Sequence, residues 1–219
     1  MKQENLTKMI GSFKNKMIRQ GYDVKDSAYQ GGLYGVYQND TLLMTVMEKG
    51  VLGREVNAGL EDLTEEISKE FSDMKEAHAV YENATSLPYQ SITDYRLISS
   101  YGDALLAAKM TKSDEIHFTT WSYDYDHTGV LAGHYYETNY ESAKQDFAIR
   151  AGLIDKEKLF DKDQLASIYD ACVYRGVNDG EITYDDEKLL RDVLEKVEAN
   201  LPEAIHQEHI RENELELEQ

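Results

Sequence analysis

The amino-acid sequence predicts an α+β protein in which an antiparallel sheet, a meander plus a hairpin, is packed by amphipathic helices, with a helical part at the C-terminus. Three observations lead to this prediction. Apolar residues recur every three to four positions over residues 6–20 and 60–81, as on one face of a helix. Four short β-prone runs between residues 95 and 137 are joined by turns. Three helix-capping patterns follow these runs.

The composition is that of a globular protein with a strong negative charge. The chain has 219 residues, of which 41% are hydrophobic and 30% charged, enough for a sizeable core. The net charge is −19, and residues 61–219 carry 15 basic against 36 acidic side chains. Because phosphate backbones and anionic lipids are bound by Lys and Arg, this charge argues against direct nucleic-acid binding and against a membrane partner.

The sequence also carries information about location. Cys172 is the single cysteine, so no intrachain disulfide can form. The first sixteen residues lack the apolar core of a signal peptide, and no run approaches the roughly 20 apolar residues that cross a bilayer. We therefore expect a cytoplasmic protein.

The first helix and the hairpin have clear local signals. Residues 6–20 form the predicted amphipathic helix, with Asn5 as its N-cap and Gly21 at its end. The β-prone runs 33–37 and 42–46 are joined by a short polar turn that contains Asn-Asp, which predicts a hairpin.

The middle of the chain predicts one long helix and a meander. Residues 60–81 form the helix, and residues 83–93, which include Pro88, form a loop. Short turns separate the strands that follow, so consecutive strands should pair antiparallel. The predicted strands are 95–99, 104–110, 115–124 and 130–137.

Three capping patterns predict the C-terminal helices. Thr138, Asp161 and Thr183 each precede by three residues a side chain that can complete a capping box or a weaker form of it. Gly152 and Gly176 are the predicted ends of the first two helices. The sequence thus predicts an α+β domain over 1–153, a helical hairpin over 154–201 and an acidic tail over 202–219.

A candidate binding surface lies on the last two predicted strands. On an extended chain His117, Trp121, Tyr123 and Tyr125 share one face of the first strand. Val130, Ala132, His134 and Tyr136 share one face of the next. If the two faces coincide, they form an aromatic platform with two imidazoles that can stack on a ring, a base or a Pro-rich segment. The alternative is that these side chains fill a core beneath the helices, and the exposure of Trp121, Tyr123 and Tyr136 distinguishes the two.

Sequence motifs for chemistry are absent. No nucleophile elbow, zinc-protease helix, P-loop or dinucleotide fingerprint occurs in the chain. The spacing of Asp124, Asp126, His127 and His134 matches no metal-binding loop. We therefore predict no cofactor and no metal, and we favour a protein without catalytic activity over an enzyme, although scattered carboxylates can form an active site without a linear motif.

One resemblance to known proteins is carried by the second half of the chain. It rests on the run FTTWSYDYD from Phe118, the run GHYY from Gly133, and the pattern Tyr140-x-x-Ala-Lys-x-Asp-Phe-Ala-x-Arg-Ala-Gly-Leu. These residues resemble accessory domains encoded on conjugative and other mobile elements of gut Gram-positive bacteria, which also occur inside large polyvalent proteins. The resemblance implies a genetic context and a protein partner, and it assigns no catalytic residue.

Three functions are consistent with the sequence. The first is a non-enzymatic protein-interaction module that serves a mobile element and binds through the aromatic strands. The second is an acidic nucleic-acid mimic with antirestriction-like activity, which the charge of residues 61–219 would permit. The third is an uncharacterised enzyme or small-ligand binder that uses His134 with neighbouring Tyr and Asp side chains.

Overall fold

The computed structural model describes residues 1–55, 59–89 and 92–201. The predicted α+β class is confirmed: the described residues form five α-helices and two antiparallel sheets. The chain divides into two compact units, Met1–Ile154 and Asp155–Gln219. The acidic tail expected over 202–219 lies outside the described residues.

The first sheet contains the predicted hairpin. Its strands, in spatial order, are β1 (Asp23–Asp26), β2 (Gly32–Gln38), β3 (Thr41–Met47) and β4 (Leu52–Arg54). Asn39 and Asp40 connect β2 to β3 with φ angles of 48° and 61°, the left-handed values that a tight two-residue turn requires.

Two helices complete the core of the first sheet. These are α1 (Gln3–Arg19) and α2 (Glu61–Asn83), and Phe13 of α1 meets Phe71 of α2 edge to face with ring centroids 4.9 Å apart. Gly21 follows α1 with a φ of 90°, as its predicted end requires. Asn5 is not the N-cap of α1, because its side-chain amide donates instead to the backbone carbonyl of His78 at 3.0 Å.

The second sheet contains the predicted meander. The hairpin and the meander therefore belong to separate sheets, and α2 contributes buried residues to both cores, Phe71 to the first and Ala77 to the second. The strands pair antiparallel in chain order. They are β5 (Thr85–Ser86), β6 (Tyr95–Tyr101), β7 (Ala104–Met110), β8 (Ile116–Tyr123) and β9 (Val130–Glu137).

Helix α3 (Tyr140–Arg150) packs on one face of this second sheet. Phe118 of β8 stacks on Tyr140 there, with ring centroids 4.4 Å apart. The helix is capped by Asn139 rather than by Thr138, because the Asn139 side chain accepts the Ser142 N–H at 2.9 Å. Gly152 ends the segment with a φ of 69°, as predicted.

The second unit is a helical hairpin of α4 (Lys162–Asn178) and α5 (Tyr184–Glu198), preceded by a short 3-10 helix, Lys156–Lys158. Asp161 and Gln164 form the predicted capping box at the start of α4, and Thr183 caps α5. Helix α4 continues past Gly176 to Asn178, since a glycine permits a helix end without imposing one.

Candidate functional site

The predicted aromatic face of β8 forms, but its centre is closed to solvent. Trp121 is only 4% exposed. Its indole lies edge-on to Tyr95 and Tyr135, with ring centroids 4.8 and 6.3 Å away. His117 and Tyr123 share this side of the strand and are half-buried. Trp121 therefore belongs to a small hydrophobic core beneath the segment that contains Leu87, and it is not an open stacking platform.

The turn between β8 and β9 carries the most exposed aromatic residue. Tyr125 is 99% exposed, two residues beyond the end of β8. Tyr123 instead stacks on the imidazole of His127, with ring centroids 4.7 Å apart and planes 21° apart. The Tyr89 hydroxyl donates to the His127 carbonyl at 3.1 Å. The turn is thus fixed by local packing and presents Tyr125 to solvent.

Two β-bulges reverse the expected side-chain alternation of β9. Ala132 and Glu137 have φ angles of 52° and 47°, and the pairing register with β8 shifts beside each of them. An extra residue on one strand moves the following side chains to the other face. Val130 therefore packs with Trp121, whereas His134 and Tyr136 lie on the side of α3. The expectation that these residues of β9 share a face is wrong for this reason.

Asp146 of α3 is the centre of a polar cluster on that side. The Nδ1 atom of His134 lies 3.2 Å from both of its carboxylate oxygens, and the Thr120 hydroxyl donates a short hydrogen bond to it. Burial opposes ionisation of Asp146, but the hydrogen bonds from Thr120, His134 and Tyr136 outweigh it and lower the carboxyl pKa. Burial, together with the Asp146 charge, raises the pKa of Tyr136 to about 12.

Arg150 connects this cluster to the backbone at the first bulge. Its guanidinium donates to the Thr120 carbonyl at 3.1 Å and to the Ala132 carbonyl at 2.6 Å. It also donates to the Ser122 hydroxyl at 3.2 Å and lies 4.0 Å from Asp146. The planar fork of donors thus bridges β8 and β9 where the bulge interrupts their ladder.

Sequence reasoning missed Asp146, Arg150 and Thr120 as members of one cluster. The available signal was the spacing of Asp146 and Arg150, four residues apart on a helix, which places them on one face. That spacing does not show that the face meets a strand rather than solvent. Of the six predicted binding residues, His134 and Tyr136 belong to this cluster, and His117, Trp121, Tyr123 and Tyr125 lie on the opposite face or in the turn.

The His134–Asp146 pair has the orientation of a general base, but its surroundings differ from an active site. The His134 side chain is 56% exposed. A cleft of about 330 Å³ on the same unit does not include it. A catalytic imidazole is expected in a cavity that excludes water and positions a substrate. The pair is therefore best explained as part of the polar cluster that holds β9 against α3.

The cleft lies between α1, α2 and the beginnings of β8 and α3. Most of the charged side chains that line it form ion pairs. Glu70 forms an ion pair with Lys16 at 3.1 Å, and Glu115 contacts Arg19. The buried His78 in its lining contacts the Asn5 side chain through Nδ1 at 3.0 Å, and burial lowers its pKa. These contacts hold α1, α2 and β8 together.

Strand β9 forms one edge of the second sheet. Within the described residues, no strand pairs with the side of Val130–Glu137 that faces away from β8, which we term the β9 edge. Leu131 and Tyr135 are 53% and 68% exposed along it. Such an edge presents unpaired backbone donors and acceptors to solvent.

The surroundings of the β9 edge are acidic. Residues 113–143 contain six carboxylates and no Lys or Arg. Asp126 and Glu137 lie near the two ends of the edge, and both are exposed. Two cations that follow the strand in sequence are engaged: Arg150 bridges the bulge, and Lys144 contacts Glu76 and Glu141.

Over the residues that the structure describes, no group of three or more His, Cys, Asp or Glu side chains is arranged to hold a metal ion. None of the described helices combines the length and apolar character needed to cross a membrane. No known family model, characterised protein or solved structure matches the chain. The described residues thus define an α+β protein in which β9 forms an exposed, acidic edge of the second sheet.

Proposed function

We propose that the protein is a non-enzymatic interaction module that binds an extended segment of a partner protein along the β9 edge. The observation that carries this proposal is the position of β9, an eight-residue terminal strand with exposed Leu131 and Tyr135. A peptide that adds as a further strand gains affinity from main-chain hydrogen bonds and specificity from alternate side chains.

The bulges of β9 restrict how a partner can add to this edge. Ala132 and Glu137 bracket the residues 133–136, and the bulged positions twist the edge away from a long flat pairing. Natural proteins use such bulges to prevent uncontrolled strand pairing. An edge of this kind favours a short, specific segment over an indefinite stack of strands.

The resemblance of residues 118–153 to accessory domains of mobile elements supports a role in such an element, in the cytoplasm of the host. A partner protein fits that role, and the accumulated negative charge disfavours nucleic acid as the ligand.

A displayed library of random twelve-residue peptides, selected against the full chain, tests the proposal. We expect binders that lose affinity when Leu131→Lys places a charge on the edge. Val51→Lys is the matched control, because Val51 is 55% exposed beside the first sheet. Selected peptides that bind both variants and the natural chain equally would contradict an interaction at the β9 edge.

A second candidate function, the acidic nucleic-acid mimic, is favoured by one observation, the absence of Lys and Arg from residues 113–143. A mimic must inhibit a DNA-binding enzyme by occupying its DNA site. Titration against a restriction enzyme at low salt tests this candidate, and unchanged cleavage would exclude that enzyme as a target.

A further inference from the structure

We propose that the partner segment is basic and carries two Lys or Arg residues spaced to meet Asp126 and Glu137. This inference rests on the proposed function and specifies the chemistry of its ligand. The β9 edge lies in a stretch of 31 residues with no basic side chain and six carboxylates, of which Glu115 and Glu141 are paired with Arg19 and Lys144 from outside the stretch. A cationic segment complements that charge, whereas an acidic one meets repulsion.

The position of the two carboxylates sets the expected spacing. Asp126 lies in the turn before β9 and Glu137 is the last residue of β9. The eight residues of β9, which lies between them, would span roughly 25 Å at about 3.3 Å per residue, and the two bulges shorten this to about 20 Å. An extended partner covers about 20 Å in six steps of about 3.3 Å, so its basic side chains should be about six positions apart.

Exposed aromatic rings near the carboxylates strengthen the preference for cations. Tyr125 adjoins Asp126 in sequence, and Tyr135 is two residues before Glu137. Both rings are largely exposed. An ammonium or guanidinium group over a tyrosine ring gains about 0.5–1 kcal/mol at an exposed site, in addition to its attraction to a carboxylate. At the Asp126 end a basic side chain can therefore meet both a ring and a carboxylate. At the other end Tyr135 packs on the Trp121 face, whereas Glu137, paired with Phe118, lies on the face of α3, so the carboxylate acts there without the ring.

Charge also argues against a second copy of this chain as the occupant. Pairing of two β9 edges would bring the acidic stretches of both copies together, and the net charge of each copy is −19. Like charges placed opposite each other across a strand pair are destabilising. Arg150 and Lys144, which follow the strand in sequence, are engaged elsewhere: Arg150 is held by Thr120, Ser122 and Ala132, and Lys144 by Glu76 and Glu141.

Three synthetic ten-residue peptides test the inference with the full chain. All have a Thr-Val repeat with two variable positions six residues apart, occupied by Lys, Ser or Glu. Fluorescence anisotropy measures binding at 20 and 150 mM NaCl, and amide shifts in NMR spectra locate the peptide. We expect binding in the order Lys, Ser, Glu, shifts along Val130–Glu137, and weaker binding of the Lys peptide at the higher salt.

A double variant separates local from overall electrostatic attraction. Asp126→Asn with Glu137→Gln should weaken the Lys peptide about tenfold, as expected when two exposed ion pairs are lost. Glu48→Gln with Glu65→Gln changes the net charge equally at exposed positions elsewhere on the unit and should leave the affinity within twofold.

The outcomes distinguish the two proposals. Equal binding of the Lys and Ser peptides at β9 would overturn the basic partner and leave the edge interaction standing. Equal loss of binding in both double variants would also overturn it, because the attraction would then be unspecific. If no peptide shifts the β9 amides, or if the chain forms a dimer that Leu131→Lys disrupts, both the basic partner and the proposed function are wrong.

Discussion

Replacement of Arg150 by methionine tests whether the guanidinium stabilises the bulge between β8 and β9. Methionine keeps much of the length and the apolar stem of the side chain but has no donors. The substitution leaves the Thr120 and Ala132 carbonyls without their partner and removes the cation nearest to Asp146. The Arg150 side chain is 14% exposed, so solvent replaces its contacts only in part.

The size of the effect follows from these contacts. Thr120 is fully buried, and a buried carbonyl that loses its donor costs about 1–3 kcal/mol. The Ala132 carbonyl and the Ser122 hydroxyl are more accessible, so water recovers most of their bonding. We expect a decrease of about 2–4 kcal/mol in the free energy of unfolding, which for a unit of this size lowers Tm by about 10 °C.

Urea unfolding followed by tryptophan fluorescence measures this change in the free energy of unfolding with a probe beside the bulge. Trp121 is the single tryptophan, and its indole packs against Gly133 in the bulge. Lys144→Met is the control, because Lys144 is a cation on the same helix whose side chain is 38% exposed. An ion pair at such a site contributes about 0–1 kcal/mol. If Arg150→Met lowers the free energy of unfolding no more than Lys144→Met does, Arg150 does not stabilise the bulge between β8 and β9.

Three further predictions concern stability. Folding lowers the pKa of Asp146, so its contribution to the free energy of unfolding is present above the ordinary aspartate pKa near 3.9 and is lost as the pH falls through the folded value. Asp146→Asn should therefore reduce stability at pH 6 and flatten the decline of stability below pH 4. Urea unfolding at a series of pH values measures this, and an unchanged decline at acid pH would contradict it. Gly133→Ala should cost about 1–3 kcal/mol and shift the tryptophan emission, because the added methyl group meets the Trp121 ring, and an unaltered spectrum and Tm would oppose that packing. Asp161→Ala should destabilise the second unit by about 1 kcal/mol through loss of the capping box, measured by thermal circular dichroism beside Asp163→Ala, which has no capping bond to lose.

The regular elements of this fold were predictable because their signals are local. The α2 periodicity, the Asn39-Asp40 turn and the Asp161 capping box each act within a few residues. The strands of two to four residues were not predictable, since β1 has the sequence Asp-Val-Lys-Asp and its pairing depends on β2. A segment so short has no periodicity of its own.

The candidate site was less predictable than the fold because two bulges control it. Alternation along β9 places His134 with Trp121, but the inserted residue beside Ala132 moves it to the face of α3, and a second insertion beside Glu137 changes the face again after Tyr135. Neither residue is a glycine, so the sequence carries no conformational signal for the positive φ. The exposure of Tyr125 and the burial of Trp121 likewise depend on packing across the sheet.

Binding at the β9 edge is tested most directly by an NMR titration of the full chain with the Lys-substituted peptide. We expect amide shifts concentrated at Val130–Glu137, which disappear in the Leu131→Lys variant and persist in Val51→Lys. Shifts centred on any other element, or shifts that Leu131→Lys leaves intact, would contradict a binding site at the β9 edge.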